Sequence, residues 1–251
     1  MLRIILSGCN GHMGRVVTDL ISAEPDMTIV AGIDITENPA AGYPVYPDLA
    51  DCAEEADVVI DFSTAAAMDA LLTACTVKKL PLVLCTTGLS DSQLEKVQAL
   101  SSVTPVLRSA NMSLGINLLM KLVQDAARIL ASADFDIEIV EQHHRRKLDA
   151  PSGTALALAE SIDAALDHTC HFTYDRSQRH EKRDPREIGI SAVRGGSIVG
   201  EHEVIFAGQD EVVRISHSAY SRSIFAKGAL AAARFLAGRP AGLYTMSDVI
   251  G

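Results

Sequence analysis

The first half of the chain alternates short apolar runs with stretches of helical periodicity. The apolar runs predict strands at Leu2–Leu6, Thr28–Ile33, Asp57–Phe62, Pro81–Cys85 and Pro105–Leu107. The stretches between them predict helices at Met13–Ser22, Ala65–Thr76 and Ser90–Leu100, the last with Ser90 as its N-cap. Short apolar strands that alternate with helices are typical of βαβ units, so we predict an α/β fold with a Rossmann-like parallel sheet.

The second half has a different pattern. Helices are predicted at Leu114–Ala131, Ser152–Ala165 and Arg222–Leu236. Strands are predicted at Phe135–Gln142, which alternates apolar and acidic residues, and at Ile188–Val193, Ile198–Phe206 and Val212–Ser218. Consecutive strands favour an α+β unit with a mixed sheet. We therefore predict a first domain over residues 1–111, a second over 112–222, and a C-terminal helix and tail over 223–251 that return to the first.

Composition excludes several classes of protein. The 251 residues carry a formal net charge of −10 and only 4% aromatic side chains, which argues against a general nucleic-acid binder. No apolar run is long enough to span a membrane, and the apolar start is too short for a signal peptide, so a cytoplasmic protein is expected. The five cysteines are widely spaced without a C-x-x-C pair, so we expect neither a disulfide framework nor a metal site.

Three glycines mark the junction of the first strand and the first helix. Gly8-x-x-Gly11-x-x-Gly14 suits a tight turn that brings the backbone close to a pyrophosphate at a helix N-terminus, although a turn without a ligand has the same spacing. Asp34 follows Gly14 by 20 residues, at the end of the second strand, where an acid can bind the ribose hydroxyls of a dinucleotide. Because Asp34 repels a 2′-phosphate, we expect NADH to be preferred, with NADPH possible.

Two further segments follow the fourth and fifth predicted strands. Thr86-Thr87-Gly88 and Ser109-Ala110-Asn111-Met112 both lie where parallel strands of open α/β sheets end, which is where such sheets bind ligands. They are candidates for the nicotinamide side of the site, or else ordinary turns and helix caps.

The densest chemistry lies between Glu141 and Ala155. Five consecutive basic or titratable residues, His143 to Lys147, precede a predicted helix that begins at Pro151-Ser152-Gly153-Thr154. Such a segment suits an anionic ligand with several carboxylates, and a histidine can transfer a proton near neutral pH. The alternatives are an exposed basic loop before a capped helix and, less favoured, a metal site without a recognisable third ligand.

The segment H-H-x-x-K-x-D-A-P-S-G-T-A, from His143 to Ala155, resembles the signature of the bacterial 4-hydroxy-tetrahydrodipicolinate reductase family. The resemblance extends nearly end to end. It includes the glycine turn, Asp61-Phe62-Ser63, Thr86-Thr87-Gly88, Ser109 to Ser113, Arg194-Gly195-Gly196 with Val199 to His202, and Gly242-Leu243-Tyr244 with Asp248-Val249.

The resemblance implies NAD(P)H-dependent reduction of 4-hydroxy-tetrahydrodipicolinate, with loss of water, in lysine and diaminopimelate biosynthesis. It implies His143 as general acid/base, Lys147 as second proton donor or charge stabiliser, and a dicarboxylate substrate bound by His144, Ser152, Gly153 and Thr154. It further implies a homotetramer built on the mixed sheet. The implied cofactor contacts are Gly8, Cys9, Asn10, Gly11, His12, Met13, Asp34, Cys85, Thr86, Thr87, Ser109, Ala110, Asn111 and Met112.

Three positions depart from the common pattern of that family. His12 stands where many members have arginine, Cys85 replaces a glycine before Thr86, and Ile35 follows Asp34 where some members have arginine. Other functions remain open on the residues alone. An amino-acid dehydrogenase accounts for the glycine turn but not for the whole signature. A non-catalytic dinucleotide sensor has no need of His143 and Lys147.

Overall fold

The computed structural model describes residues 1–38, 40–177 and 179–251. The chain divides into two compact units, one formed by Met1–Ser113 with Ser223–Gly251 and the other by Leu114–Arg222. The first boundary lies two residues beyond the expected one, because Asn111 accepts a hydrogen bond from the Ser113 amide and the next helix begins only at Leu114.

The first unit contains a seven-stranded parallel sheet. Its strands are β1 (Leu2–Ser7), β2 (Met27–Ile33), β3 (Val45–Tyr46), β4 (Val58–Asp61), β5 (Leu82–Leu84), β6 (Pro105–Arg108) and β12 (Gly242–Tyr244). The spatial order is β12-β6-β5-β4-β1-β2-β3, and every pair is parallel. This is the Rossmann-like sheet that the sequence predicts. The edge strands β3 and β12 were not predicted, because neither has more than two consecutive apolar side chains.

Helices cover both faces of this sheet. They are α1 (His12–Ser22), α2 (Met68–Lys78), α3 (Asp91–Ser101), α6 (Ser223–Leu236) and α7 (Met246–Ile250), with a 3₁₀ turn before α2. Ile4 packs in the cluster that includes residues of α1 and α6, and its neighbour Ile5 packs in the cluster formed with α2 and α3. Strands buried on both faces explain the unbroken apolar runs in the sequence.

The second unit contains a mixed sheet of five strands. They are β7 (Asp136–His143), β8 (His171–Tyr174), β9 (Glu187–Arg194), β10 (Gly200–Ala207) and β11 (Val212–Ala219), in the order β11-β10-β7-β9-β8. Strand β9 runs parallel to β7 and β8, whereas β10 runs antiparallel to β7 and β11. The mixed α+β unit was predicted, but the short edge strand β8 was not.

Helices α4 (Leu114–Leu130) and α5 (Gly153–Ala165) share their core with one face of this sheet. Strand β7 alternates as its sequence predicts. Ile137 and Ile139 are buried in that core, and Glu138 and Val140, which alternate with them, are half-buried. The same alternation places Glu141 and His143 on the core side, at the end of the strand. Within the described ranges, no helix is long and apolar enough to cross a membrane.

Candidate active site

The glycine turn in the first unit leaves no room for side chains. Gly8 has a φ of +75°, and a Cβ atom there would lie 2.6 Å from the carbonyl oxygen of Phe62. A Cβ atom on Gly14 would lie 2.2 Å from the carbonyl oxygen of Gly8. Helix α1 begins at His12, and its N-cap is Gly11, which has no side chain to cap the helix. Such an uncapped N-terminus behind a glycine turn fits the pyrophosphate of a dinucleotide.

Asp34 is fixed beside this turn at the end of β2. Its Oδ2 accepts a hydrogen bond from the Asn10 amide at 3.1 Å, and its Oδ1 accepts from the amide and hydroxyl of Thr36 at 3.2 and 2.9 Å. The Asn10 side chain in turn donates to the Thr36 carbonyl at 2.6 Å. The carboxylate is therefore held next to the glycine turn, at the position expected for a group that binds ribose hydroxyls.

The Cys9 side chain takes no part in this surface. It is 2% exposed and packs in the core, where burial, with a smaller effect from Asp34, raises the pKa of its thiol to about 11. Only the backbone of Cys9 remains available to a cofactor.

A buried carboxylate joins the ends of β4 and β5. Asp61 is fully buried, its Oδ1 accepts from the Ser63 hydroxyl at 2.6 Å, and its Oδ2 accepts from the Thr86 hydroxyl at 2.5 Å. The Thr86 side chain is thus turned towards Asp61 and shapes the turn after β5. The sequence did not assign Asp61 a role, although it begins the Asp61-Phe62-Ser63 motif.

A cavity of about 310 Å³ lies next to that turn, within the first unit. Its lining includes most of the residues expected on the nicotinamide side, together with two phenylalanines that were not expected: Met13, Phe62, Cys85, Thr87, Ser109, Ala110, Asn111, Met112 and Phe225. Burial, with a smaller effect from Asp61, raises the pKa of the Cys85 thiol, so this side chain is neutral. The cavity therefore combines an apolar wall with the polar groups of Thr87, Ser109 and Asn111.

In the second unit, His143 contacts a fully buried carboxylate. The Nδ1 atom of His143 lies 2.6 Å from Oε2 of Glu141, and Arg194 binds both oxygens of Glu141, at 2.8 and 2.6 Å. The Ser152 amide donates to Oε1 at 2.9 Å. Burial opposes the ionisation of Glu141, but the hydrogen bonds from Arg194, His143 and Ser152 outweigh it and lower the pKa of Glu141. The carboxylate is therefore an anion beside the imidazole.

Helix α5 begins next to this cluster. Ser152 is its N-cap, and the Ser152 hydroxyl accepts a hydrogen bond from the Ala155 amide at 3.2 Å. The same oxygen lies 3.1 Å from Nε2 of His202, whose ring is inclined by 75° to that of His143 at a centroid distance of 5.1 Å. Burial, with smaller effects from His143 and His217, lowers the pKa of His202 to about 4, so His202 is neutral near pH 7.

The loop between β7 and α5 carries Lys147 to the start of the helix. The Lys147 ammonium lies 3.0 Å from the Asp149 carboxylate, and this contact, together with a smaller effect of the Gly153 amide, lowers the pKa of Asp149. Lys147 therefore lies beside the first turn of α5, to which Gly153 and Thr154 belong. His144 is half-buried, and its Nδ1 finds no hydrogen-bond partner in the part of the chain that the structure describes.

The structure thus brings His143, Lys147 and the start of α5 together in one unit. Sequence reasoning missed the roles of Glu141, Arg194 and His202. The register of the strands brings these residues close to His143. His143 is paired with Arg194 on β9, and Glu141 is paired with His202 on β10. The sequence could have indicated the contact between Glu141 and His143. The two residues are two positions apart on one strand, so their side chains lie on the same face. The other two residues lie 50 or more positions away, and only the fold brings them to the site.

Comparisons with known proteins agree with this architecture. Family models described as the N-terminus and the C-terminus of dihydrodipicolinate reductase match residues 2–112 and 115–250. A 4-hydroxy-tetrahydrodipicolinate reductase from Caldanaerobacter subterraneus subsp. tengcongensis is 53% identical over 250 residues, which cover 100% of this chain and 98% of the relative. The corresponding enzyme from Clostridium novyi is 47% identical over the same shares of both chains.

Two solved structures share the fold. A dipicolinate-bound dihydrodipicolinate reductase from Paenisporosarcina sp. TG-14 superposes with a TM-score of 0.83 at 24% identity, over 98% of this chain and 97% of that one. A DAP dehydrogenase from C. glutamicum in complex with DAP gives a TM-score of 0.58 at 16% identity, over 100% and 95% of the two chains. At these identities the likeness concerns the fold alone.

Proposed function

This chain belongs to the dihydrodipicolinate reductase family, and we propose that the Glu141–His143 pair is the centre of its chemistry. The reaction is the NAD(P)H-dependent reduction of 4-hydroxy-tetrahydrodipicolinate to tetrahydrodipicolinate, with loss of water, in lysine and diaminopimelate biosynthesis. The observation that carries the proposal is the 2.6 Å contact between Nδ1 of His143 and the buried Glu141 carboxylate, beside the N-terminus of α5.

His143 acts as the proton donor in this proposal. When bound, the reduced nicotinamide supplies the hydride. Loss of the substrate hydroxyl as water leaves a conjugated imine, and its reduction leaves an enamine that needs a proton on carbon. His143 supplies that proton, since an imidazole can give and regain a proton near neutral pH. Lys147 stabilises charge that develops on the substrate or provides a second proton.

The start of α5 binds the carboxylates of the substrate. Ser152, Gly153 and Thr154 form the N-cap and first turn of this helix, where amides and the helix dipole attract anions. His144 and Lys147 add donors from the preceding loop. Lys147 contacts Asp149 at 3.0 Å, so a substrate carboxylate competes with an internal one for the same ammonium group. A dicarboxylate has enough acceptors for this spread of donors.

The first unit binds the cofactor. The backbone of the glycine turn, from Gly8 to Met13, receives the pyrophosphate, and Asp34 receives the ribose hydroxyls. The nicotinamide side is formed by Cys85, Thr86, Thr87 and residues 109–112. NADH is preferred because Asp34 repels a 2′-phosphate and no lysine or arginine occurs between Ile35 and Asp57, although NADPH can still bind. Residues 1–111 thus serve the nucleotide, residues 112–222 serve the substrate and assembly, and residues 223–251 support the first domain.

We propose a cytoplasmic homotetramer assembled through the mixed sheet of the second unit. The face of this sheet that lies away from the core of α4 and α5 carries Val193 and Val212, which are 45% and 50% exposed, and the half-buried Val140 and Ile205. Apolar side chains on an otherwise polar face are typical of an interface between copies. Light scattering on the purified protein measures its mass, and a monomer at micromolar concentration contradicts the assembly.

The experiment that tests the function is a coupled assay. The product of the upstream synthase is generated in place, and oxidation of NADH or NADPH is followed by nicotinamide absorbance. We expect turnover with both cofactors and a higher kcat/KM with NADH. The absence of oxidation with either cofactor contradicts the function, and a higher kcat/KM with NADPH contradicts the preference alone.

A further inference from the structure

We propose that Glu141 is a positioning residue that keeps a proton on Nδ1 of His143, so that Nε2 is the nitrogen that exchanges a proton with the substrate. The inference rests on the proposed role of His143 and adds which of its atoms acts and what decides it. The His143–Ala155 signature reveals neither the acting nitrogen nor the group that selects it, because Glu141 lies before this segment and Arg194 lies on another strand.

The hydrogen bonds at Glu141 determine the position of the proton. A carboxylate has about four lone-pair positions, and four donor atoms contact this one: two guanidinium nitrogens of Arg194, the amide of Ser152 and Nδ1 of His143. The first three can only donate, so Glu141 accepts from them as an anion. A deprotonated Nδ1 would place its lone pair 2.6 Å from an anionic oxygen, which is repulsive. Nδ1 therefore carries a hydrogen whether or not the imidazole is charged.

The surroundings of His143 also hold the ring in one orientation. The ring of His202 packs edge to face against it at 5.1 Å. On the opposite side of the ring from Glu141, a Cβ atom on Gly200 would lie 3.1 Å from Nε2. A glycine at position 200 therefore avoids crowding at Nε2, whereas Nδ1 is occupied by its contact with Glu141.

Two consequences follow for the reaction. Neutral His143 has its free lone pair on Nε2, and protonated His143 donates from Nε2, so one atom serves both halves of the proton cycle. Glu141 also accepts from the Ser152 amide at the N-cap of α5. The same carboxylate therefore fixes the imidazole and the start of the helix that we assign to the substrate carboxylates.

The test begins with Glu141→Gln. The glutamine side chain has the same shape as glutamate, but its NH₂ group cannot accept a hydrogen bond. Where this group faces Nδ1 of His143, it favours the tautomer that carries the proton on Nε2. We expect kcat to fall by roughly 10²–10⁴-fold, the range for loss of a proton-transfer group or of its correct tautomer. KM should change by less than about tenfold, since the donors at the start of α5 remain. Glu141→Asp keeps the negative charge on a side chain that is one methylene shorter. Its kcat should therefore be higher than that of Glu141→Gln and lower than that of the wild type.

A matched control exists on the same strand. Glu138 also pairs with an arginine, with Nε of Arg183 at 2.9 Å, but it lies on the other face of β7. Glu138→Gln loses a charge and an ion pair without touching His143. Its kcat should stay close to that of the wild type. Equal losses of kcat in Glu138→Gln and Glu141→Gln contradict a positioning role, because they indicate a general effect of opening an ion pair on β7.

The position of the proton is read directly by ¹⁵N chemical shifts of histidine side chains, with the His143 signals identified by their loss in His143→Gln. We expect neutral His143 in the wild type to carry its proton on Nδ1, with Nε2 unprotonated, and we expect a reversed or mixed pattern in Glu141→Gln. This spectrum decides the question on the wild-type protein even if Glu141→Gln fails to fold. A neutral wild-type His143 protonated on Nε2 overturns the inference. A His143→Gln variant with normal kcat instead overturns the proposed role of His143 as proton donor, on which the inference rests.

Discussion

The Nε2 atom of His202, on strand β10, lies 3.1 Å from the hydroxyl oxygen of Ser152 at the N-cap of α5. The Ser152 hydroxyl also accepts a hydrogen bond from the Ala155 amide, so this oxygen contacts both the first turn of α5 and strand β10. His202 is 5% exposed and its Nδ1 finds no partner among the described residues. A buried histidine in such a place stabilises the fold only while it is neutral.

The first prediction concerns the pH dependence of stability. Burial lowers the pKa of His202 from 6.5 to about 4, so between these values the unfolded chain binds more protons than the folded one. Stability therefore rises with pH across this window, and falls by up to about 3 kcal/mol as the pH drops from 6.5 to 4. Urea unfolding at a series of pH values measures it.

The matched variants separate this histidine from other groups. His202→Gln should flatten the slope of unfolding free energy between pH 6.5 and 5, above the range in which carboxylates titrate. His168→Gln is the matched control, because it removes an imidazole that is 75% exposed and contacts Asp163 at 3.2 Å, outside the buried cluster. An unchanged slope in His202→Gln shows that His202 is not the group responsible.

The second prediction concerns the helix cap at Ser152. Ser152→Ala should cost more than the ~1 kcal/mol of a lost N-cap, because it also leaves Nε2 of the buried His202 without its partner. It should also raise KM for the substrate. Ser90→Ala is the control, since Ser90 caps α3 in the first unit through a bond from the Gln93 amide. It should cost about 1 kcal/mol of stability, the effect of the cap alone, with no change in the substrate KM. If both variants have the same KM for the substrate, Ser152 does not bind the substrate.

The third prediction concerns the choice of cofactor. Asp34→Asn removes the negative charge at the end of β2, so the kcat/KM ratio of NADPH to NADH should rise by about tenfold, about 1.4 kcal/mol. Glu37→Gln removes an exposed charge three residues further on and should leave the ratio within about twofold of the wild type. The measurement is the initial rate with each cofactor at matched salt. If Asp34→Asn leaves the kcat/KM ratio of NADPH to NADH unchanged, Asp34 does not determine the cofactor preference.

The sequence predicted those parts of the molecule in which local chemistry decides the structure. The apolar runs identified β1, β2, β4, β5 and β6 because these strands lie inside the sheet, where burial on both faces requires apolar residues. Ser90 was confirmed as the cap of α3, where Gln93 completes a capping box. The alternation of β7 was confirmed as well. These features depend on neighbours within one strand or one helical turn, which the sequence displays directly.

The remaining parts depend on contacts between distant segments. Strand β3 is only Val45–Tyr46 and forms because β2 offers a free edge, which no local pattern reveals. The hydrogen bonds of Glu141 require Arg194, 53 positions further on, and β9 supplies it only through its register with β7. Sequence reasoning proposed His143 and Lys147 for the site, but it did not predict the contact of Glu141 with that histidine or of Arg194 with Glu141.

The rate of His143→Ala in the coupled assay tests the central claim most directly. Removing the imidazole should lower kcat by roughly 10²–10⁴-fold, while the protein stays folded and its NADH binding stays close to that of the wild type. His168→Ala, which loses an exposed imidazole 25 residues away, serves as the control and should keep the wild-type kcat. A His143→Ala protein that is folded and retains the wild-type kcat contradicts the role of His143 as proton donor.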